Sequence, residues 1–321
     1  MKFLELCAGI GGFRQALENL GCECVGYSEI DKHAIKLYSA WYNDERNFGD
    51  ITKIEAEKLP DFELLVGGFP CQAFSVAGKR GGFNDTRGTI FFDFARIMKA
   101  KKPKFAIFEN VKGLLNHDGG KTYETMLRTL DELGYNAQWG ILNTKFHGLP
   151  QNRERVYIVA NLRERSSTKI LFERGDDITD KMERTESEIS GELGAKTGLY
   201  KIGTIGNDSL SNRIYSDKGV SATLCAGNNG GGKRMGGLYN TGDKVRRLTP
   251  KECFRLQGFK DEMVELGYKL CISDTQLYKM AGNAVSVPVV EWVAQRVLNW
   301  DNLRNVDTIQ TDNLLSCWDK E

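Results

Sequence analysis

The chain is 321 residues long and carries 44 Lys and Arg against 43 Asp and Glu, a formal charge of +1. Its 40 % hydrophobic content can fill a sizeable core, which excludes a disordered or collagen-like chain, and no apolar stretch approaches the roughly 20 residues that cross a bilayer. The near-zero sum does not exclude a nucleic-acid partner, because binding depends on where charge sits.

The opening Met1-Lys2-Phe3-Leu4-Glu5-Leu6-Cys7 is interrupted by Glu5 and lacks the apolar run of a signal peptide. The eight cysteines are scattered rather than framed, which suits reduced thiols in a cytoplasmic protein. Cys22 and Cys24 are spaced too closely for a usual zinc knuckle and only three histidines exist, so no metal site is expected.

In chain order, Phe3 to Leu6 reads as a buried strand, Phe13 to Leu20 as a helix and Cys24 to Ser28 as a second strand. Ala34 to Tyr42 is helical, Phe62 to Val66 a strand, Phe91 to Met98 a helix and Phe105 to Phe108 a strand. A helix from Thr122 to Leu133 and strands at Gln138 to Leu142 and Val156 to Ala160 follow. This alternation predicts an α/β fold with a doubly wound, mostly parallel sheet.

The pattern changes after Asn161. Residues 163–190 hold eight acidic and six basic side chains with little apolar periodicity and read as a connector. Residues 191–260 are glycine-rich and basic, with twelve Lys or Arg against five acids. That local +7 leaves −6 for the rest of the chain. Helical periodicity returns from Thr275, and Val285 to Trp300 reads as an amphipathic helix whose stripe is plain core. The expected division is 1–165 with 273–321 as one domain, 166–190 as a linker and 191–272 as a second, smaller domain.

Gly9-Ile10-Gly11-Gly12-Phe13 forms a glycine turn between first strand and first helix, where bare backbone admits a nucleotide-like ligand. A dinucleotide-binding pattern would need glycine where Arg14 stands, which disfavours a pyrophosphate-binding oxidoreductase. Glu29, at the end of the second strand, is placed to accept from ribose hydroxyls, and Asp50 from an adenine amino group. Without other motifs, a plain turn and two surface acids would explain the same residues.

Gly67-Gly68-Phe69-Pro70-Cys71-Gln72 follows a buried strand and opens a loop holding Lys79, Arg80 and Arg87. Cysteine is usually a buried hydrophobe, but Cys71 lies at the carboxyl edge of the sheet beside a basic loop that favours thiolate. Glu109-Asn110-Val111 ends another strand at the same edge. In Gln151-Asn152-Arg153-Glu154-Arg155, the period of two puts Arg153 and Arg155 on one face of a strand start.

With these motifs in this order, together with Arg247-Leu248-Thr249-Pro250-Lys251-Glu252-Cys253 and Gln276-Leu277-Tyr278-Lys279-Met280-Ala281-Gly282-Asn283-Ala284-Val285, the chain resembles the bacterial cytosine-5 DNA methyltransferases. Among these it is similar to the HhaI type over nearly its whole length.

The resemblance implies a Rossmann-like methyltransferase fold that binds S-adenosylmethionine and releases S-adenosylhomocysteine, with a mainly β target-recognition domain. It implies that Cys71 adds to C6 of a flipped cytosine. Glu109 would contact N3 and the amino group, a role that calls for a neutral carboxyl. Arg155 would bind O2, with Arg153 supporting the site. The methyl donor would lie along Gly9, Gly11, Phe13, Glu29, Ile30, Asp50, Ile51, Pro70 and Ile90, and Asn283 would close the site as the last helix returns to the first domain. DNA contacts would come from Gln72, Ala77, Lys79, Arg80, Arg87, Leu210, Arg213, Thr223, Lys233 and Arg234.

The chain departs from the HhaI type at Leu210, which replaces a Gln, and at Ala77, which replaces a Ser; Asn207, Ser209 or Ser211 would then substitute in the gap left by the flipped base. The partner implied is double-stranded DNA, bound by a monomeric, bacterial or phage-encoded protein with no membrane association. It would be the modification enzyme of a restriction–modification system, sharing its site with an endonuclease, or a phage or orphan methylase. Rival readings are a tRNA cytosine-5 methyltransferase and a catalytically silent DNA-binding regulator.

Overall fold

The computed structural model describes residues 1–69, 90–163, 198–206, 208–209, 212–226, 237–242 and 244–318, the last sixteen of these as backbone only. Pro70, Cys71, Gln72, Ala77, Lys79, Arg80, Arg87, Asn207, Leu210, Ser211, Lys233, Arg234 and the expected linker lie outside the described residues.

Apolar runs with polar ends give the first elements: β1 (Lys2–Leu6), α1 (Gly12–Asn19), β2 (Glu23–Ser28), α2 (Lys32–Tyr42), β3 (Leu64–Gly68), α3 (Ile90–Lys101), β4 (Phe105–Val111), α4 (Lys121–Glu132) and β5 (Tyr135–Asn143). After these come β6 (Gln151–Asn152), β7 (Glu154–Leu162), β8 (Lys201–Thr204), β9 (Arg213–Ser216), β10 (Ser221–Ala222), β11 (Leu238–Asn240) and β12 (Val245–Arg246). The carboxyl-terminal part is helical: α5 (Pro250–Arg255), α6 (Asp261–Lys269), α7 (Asp274–Asn283) and α8 (Val287–Trp318). Local chemistry sets the starts: Asp31 caps α2 by accepting from the amides of His33 and Ala34, and Thr249 with Glu252 forms a capping box on α5. Among the described residues no helix is long and apolar enough to cross a membrane.

The main sheet runs β2-β1-β3-β4-β7-β5, with β7 antiparallel to both neighbours and the other pairings parallel. Because β2 and β3 lie on opposite sides of β1, the chain reverses direction there and opens a crevice beyond the strands' carboxyl ends. The core on one face joins Phe3, Phe13, Leu17, Val66 and Ile107 to Phe254, Val290 and Trp300. On the other face Leu4, Leu6, Phe91, Phe94 and Phe108 pack with Met126. The stripe of α8 is core, as the sequence predicts, and α8 returns to α1, where Asn19 donates to Glu291.

A second sheet, β12-β11-β9-β8, is built around Tyr215 and Tyr239 with Ala222 and Leu248. The two units are laced together by the parallel pair β10–β6, in which Ser221 faces Gln151. The expected boundary at 273 does not match the packing. Cys253, Phe254, Phe259, Met263 and Val264 sit in the large core, so 250–272 goes with the first unit.

Several strands run further than the apolar pattern predicts, among them β5, which spans Tyr135–Asn143. β4 continues through Glu109 to Val111, and β7 already begins at Glu154, because each supplies the other's backbone partners and polar side chains do not stop the ladder.

Candidate active site

The crevice beyond β1, β3 and β4 is a cleft of about 400 Å³, floored by Gly68, Phe69 and Glu109 and walled by the glycine turn, the β2–α2 loop and the end of α7. Gly9 and Gly11 both take positive φ, which bends the chain sharply between β1 and α1. Arg14, at the position that disfavours a dinucleotide, is buried and paired with Asp44 and Glu18, and it does not line the cleft.

Along one wall Glu29 ties the turn to the next loop. Its Oε2 accepts from the Gly9 amide at 2.7 Å, and its Oε1 accepts from the amides of Ile30 and Asp31, both at 2.8 Å. A carboxylate oxygen has two lone pairs, so Oε2 keeps capacity for one more donor. Asp50 starts a turn at Ile51 and accepts from the amide and hydroxyl of Thr52 on Oδ1, and these bonds hold its carboxyl below the ordinary carboxylate range. Ile30 is 72 % exposed at the cleft mouth, an unusual setting for a large aliphatic side chain. Ile51, Phe13 and Ile90 supply the apolar lining, and Asn283 is exposed at the cleft's far side. Acceptors, an exposed aliphatic platform and a bare-backbone turn fit an adenosine-type ligand.

The floor carries the charged pair. In the β4–β7 register Glu109 is opposite Tyr157 and Val111 opposite Arg155, which brings Glu109 and Arg155 diagonally together on one face. Arg155 Nε lies 3.0 Å from Glu109 Oε1, but its N–H is not aimed at that oxygen, so Oε1 accepts no hydrogen bond. Glu109 is 8 % exposed and therefore presents a carboxylate with unfilled acceptor capacity. On β3 Gly68 is its direct neighbour, and a Cβ there would lie 3.1 Å from Glu109 Oε2. Glycine at 68 leaves room for the carboxylate.

Phe69, two residues before Cys71 in the sequence, is wedged among Phe91, Phe94 and Phe108. Its carbonyl accepts from Asn110 Nδ2 at 2.8 Å. Arg153 also reaches the cleft wall, but its guanidinium donates to the carbonyls of Leu224, Gly282 and Ala284. In this structure it braces three backbone carbonyls from two separate segments.

Cys7 is a cleft residue that the sequence reading missed, its signal being only its place at the head of the glycine turn. Burial, reinforced by the nearby carboxylates of Glu29, Asp93 and Asp50, pushes its thiol up to about 12. At neutral pH it is an inert thiol beside the glycine turn. Lys279 and Asp31, also overlooked, form a 2.5 Å ion pair that ties α7 to the cap of α2 across the cleft rim.

Of the expected DNA contacts that are described, Arg213 opens β9 at the surface, where Asp208 Oδ1 receives its Nε at 2.9 Å and Lys201 Nζ at 2.7 Å. Thr223 spends its hydroxyl proton on the Asn152 carbonyl at 2.6 Å, so it can approach a base only as an acceptor.

The family described as C-5 cytosine-specific DNA methylase matches residues 1–196 and 173–299. The type II methyltransferase M.HhaI of Haemophilus parahaemolyticus is 36 % identical over 314 residues, covering 92 % of this chain and 94 % of that enzyme. The orphan methyltransferase M.SPRI of Bacillus phage SPR is 32 % identical, over 93 % of this chain and 98 % of that protein. In fold, the chain is similar to the crystal structure of the S. pombe Dnmt2 methyltransferase, with a TM-score of 0.70 at 22 % identity over 93 % of this chain and 98 % of that one. With the match spanning almost its full length, the chain belongs to the C-5 cytosine-specific DNA methylase family.

Proposed function

We propose that the protein methylates C5 of a cytosine flipped out of a specific short sequence in duplex DNA, with Cys71 as the nucleophile. The observation that carries this reading is the Glu109–Arg155 pair on the cleft floor, beside a wall suited to adenosine.

Cytosine C5 is too weak a nucleophile to take a methyl group unaided. The Cys71 thiolate forms a bond to C6 and the C5–C6 π electrons become available at C5; after transfer the C5 proton leaves, the S–C6 bond breaks and the thiolate is restored. Glu109 accepts from the cytosine amino group and, when protonated, donates to N3 as negative charge develops. Arg155 donates to O2, so the pair recognises the Watson–Crick edge of the extruded base.

S-adenosylmethionine, when bound, supplies the electrophilic methyl group and leaves as S-adenosylhomocysteine. Glu29 Oε2 has an acceptor site open to a ribose hydroxyl, and Asp50 can accept from an adenine amino group. Ile30 covers one face of the adenine, with Gly9, Gly11, Phe13, Ile51, Pro70, Ile90 and Asn283 around the remainder. Cys7, held as a neutral thiol, does not compete with Cys71 for the methyl group.

Residues 191–249 form the target-recognition unit, with Arg213 as a guanine reader and Lys233 and Arg234 on phosphates or bases, joined there by Lys79, Arg80 and Arg87 from the segment after Cys71. Gln72, Ala77, Leu210 and Thr223 are further candidate DNA contacts, the first two approaching the flipped-base gap from one groove and Leu210 from the other. The protein acts as a monomer, either paired with a restriction endonuclease for the same site or as an orphan methylase.

Transfer of labelled methyl to duplex DNA and, separately, to tRNA tests the reading. Incorporation into duplex DNA is expected, and incorporation into tRNA alone would contradict it. Bisulfite sequencing of the methylated DNA then reads out the target.

A further inference from the structure

A buried polar seam joins four stretches far apart in sequence. Gln151 Nε2 donates to the Leu256 carbonyl and its Oε1 accepts from the Leu224 amide, while Ser286 bridges Thr144 and Gln257. Arg153 stands in this seam at 2 % exposure. Its Nη1 donates to the Leu224 carbonyl at 3.0 Å, and its Nη2 donates to the carbonyls of Gly282 at 3.3 Å and Ala284 at 2.8 Å.

The two ends of this guanidinium hold different chain segments. Gly282 and Ala284 flank Asn283 on the cofactor side of the cleft. Leu224 lies just before the glycine-rich basic run that begins near residue 227. The two backbones also touch directly, since a Cβ on Gly282 would fall 2.5 Å from the Ala226 amide nitrogen.

Burying a guanidinium is costly unless its donors are met, and apolar packing could join two segments at lower cost. Burial, helped by the neighbouring Arg155, pushes the Arg153 side chain down to about 10, in keeping with that cost. What an arginine alone supplies is a rigid planar fork that fixes two chain segments against each other.

We infer that Arg153 is a positioning residue that locks the recognition segment at Leu224 to the cofactor-side Asn283, so that duplex DNA and cofactor bind in energetic coupling. This rests on the proposed function, in which Asn283 borders the cofactor and Thr223, next to Leu224, contacts DNA. By linkage the coupling is reciprocal: each ligand raises the affinity of the other by the same factor.

The test titrates the full chain with S-adenosylhomocysteine, with and without a duplex carrying the site mapped by bisulfite sequencing, and then performs the converse titration. The natural protein should give two equal coupling factors of about fivefold or more. Arg153→Lys keeps the charge without the fork and should bring the factor to near one, beyond any change in the affinity for either ligand alone. Gly282→Ala, which drives the two backbones apart without altering the arginine, should do the same and serves if Arg153→Lys does not fold. A natural factor near one, or a factor unchanged in either folded variant, would overturn the inference even where both affinities fall. A natural protein that binds no duplex at all would instead overturn the reading of function beneath it.

Discussion

Glu109 and Arg155 meet on the floor of the cleft because β4 and β7 are antiparallel in a register that sets Arg155 opposite Val111, two residues beyond Glu109. Neither side chain lies in a loop. The pair is held by nine-residue and seven-residue strands in the middle of a six-stranded sheet, which gives it the rigidity that orienting a base requires.

Removing either half of this pair should damage the chemical step more than cofactor binding. Arg155→Lys loses the planar fork, and Glu109→Gln can no longer pass a proton to N3. Each is expected to lower kcat by roughly 10²–10³-fold, by analogy with loss of one preorganised donor, while the dissociation constant for S-adenosylhomocysteine changes by less than about threefold. Single-turnover methyl transfer and calorimetry measure the two quantities separately.

Glu29 should behave in the opposite way. Its carboxylate gathers three backbone amides from two loops, so Glu29→Ala leaves those amides without their acceptor and frees the glycine turn. Cofactor affinity is expected to fall at least tenfold, with the single-turnover rate at saturating cofactor within about threefold of the natural protein.

Stability should carry the mark of Glu5. It is fully buried beneath the glycine turn, where Tyr38 donates to its Oε2 at 2.9 Å, and burial, outweighing Tyr38 and Arg14, pushes its carboxyl up to about 8. Because the folded value lies above that of the unfolded chain, its contribution is complete below about pH 4.5 and is lost as the pH rises through 8. Glu5→Gln has no proton to lose. Its stability relative to the natural protein should therefore improve between pH 5 and pH 9, by on the order of a few kcal/mol in urea unfolding. A difference independent of pH would contradict a buried titrating Glu5.

Arg213 is the described arginine expected to read a base, held at the start of β9 by Asp208. Arg213→Ala should relax preference at one base pair by roughly 1–3 kcal/mol while leaving cofactor binding intact. Competition between duplexes that differ at single positions measures this. Uniform weakening on every sequence would make it a phosphate contact instead.

The alternation of apolar runs made the main sheet legible, since the buried stretches Leu64–Val66 of β3 and Phe105–Phe108 of β4, which pair in parallel, are continuous hydrophobic sequence. The strand ends were less so: Glu109 and Arg155 are charged, and only the pairing of β4 with β7 explains why they continue a strand. Glu5 interrupts an apolar run in the sequence yet is wholly inside, because Tyr38 and the Arg14 amide reach it from elements more than one turn away. Charge also misplaced 250–272, where basic residues cover helices whose Phe254 and Met263 belong to the large core. The seam of Thr144, Gln257 and Ser286 left no local pattern, as Ser286 lies 29 residues from Gln257 and 142 from Thr144 and the three meet only in the folded chain.

The central claim is that Cys71 attacks the target base. Incubating the natural protein and Cys71→Ser with cofactor and a duplex carrying 5-fluorocytosine at the mapped site tests it most directly, because fluorine at C5 cannot leave as a proton does and stalls the adduct. The account predicts a denaturant-stable protein–DNA species with the natural protein and none with Cys71→Ser. Methylation of ordinary duplex without any such adduct, or an adduct that persists in Cys71→Ser, would contradict it.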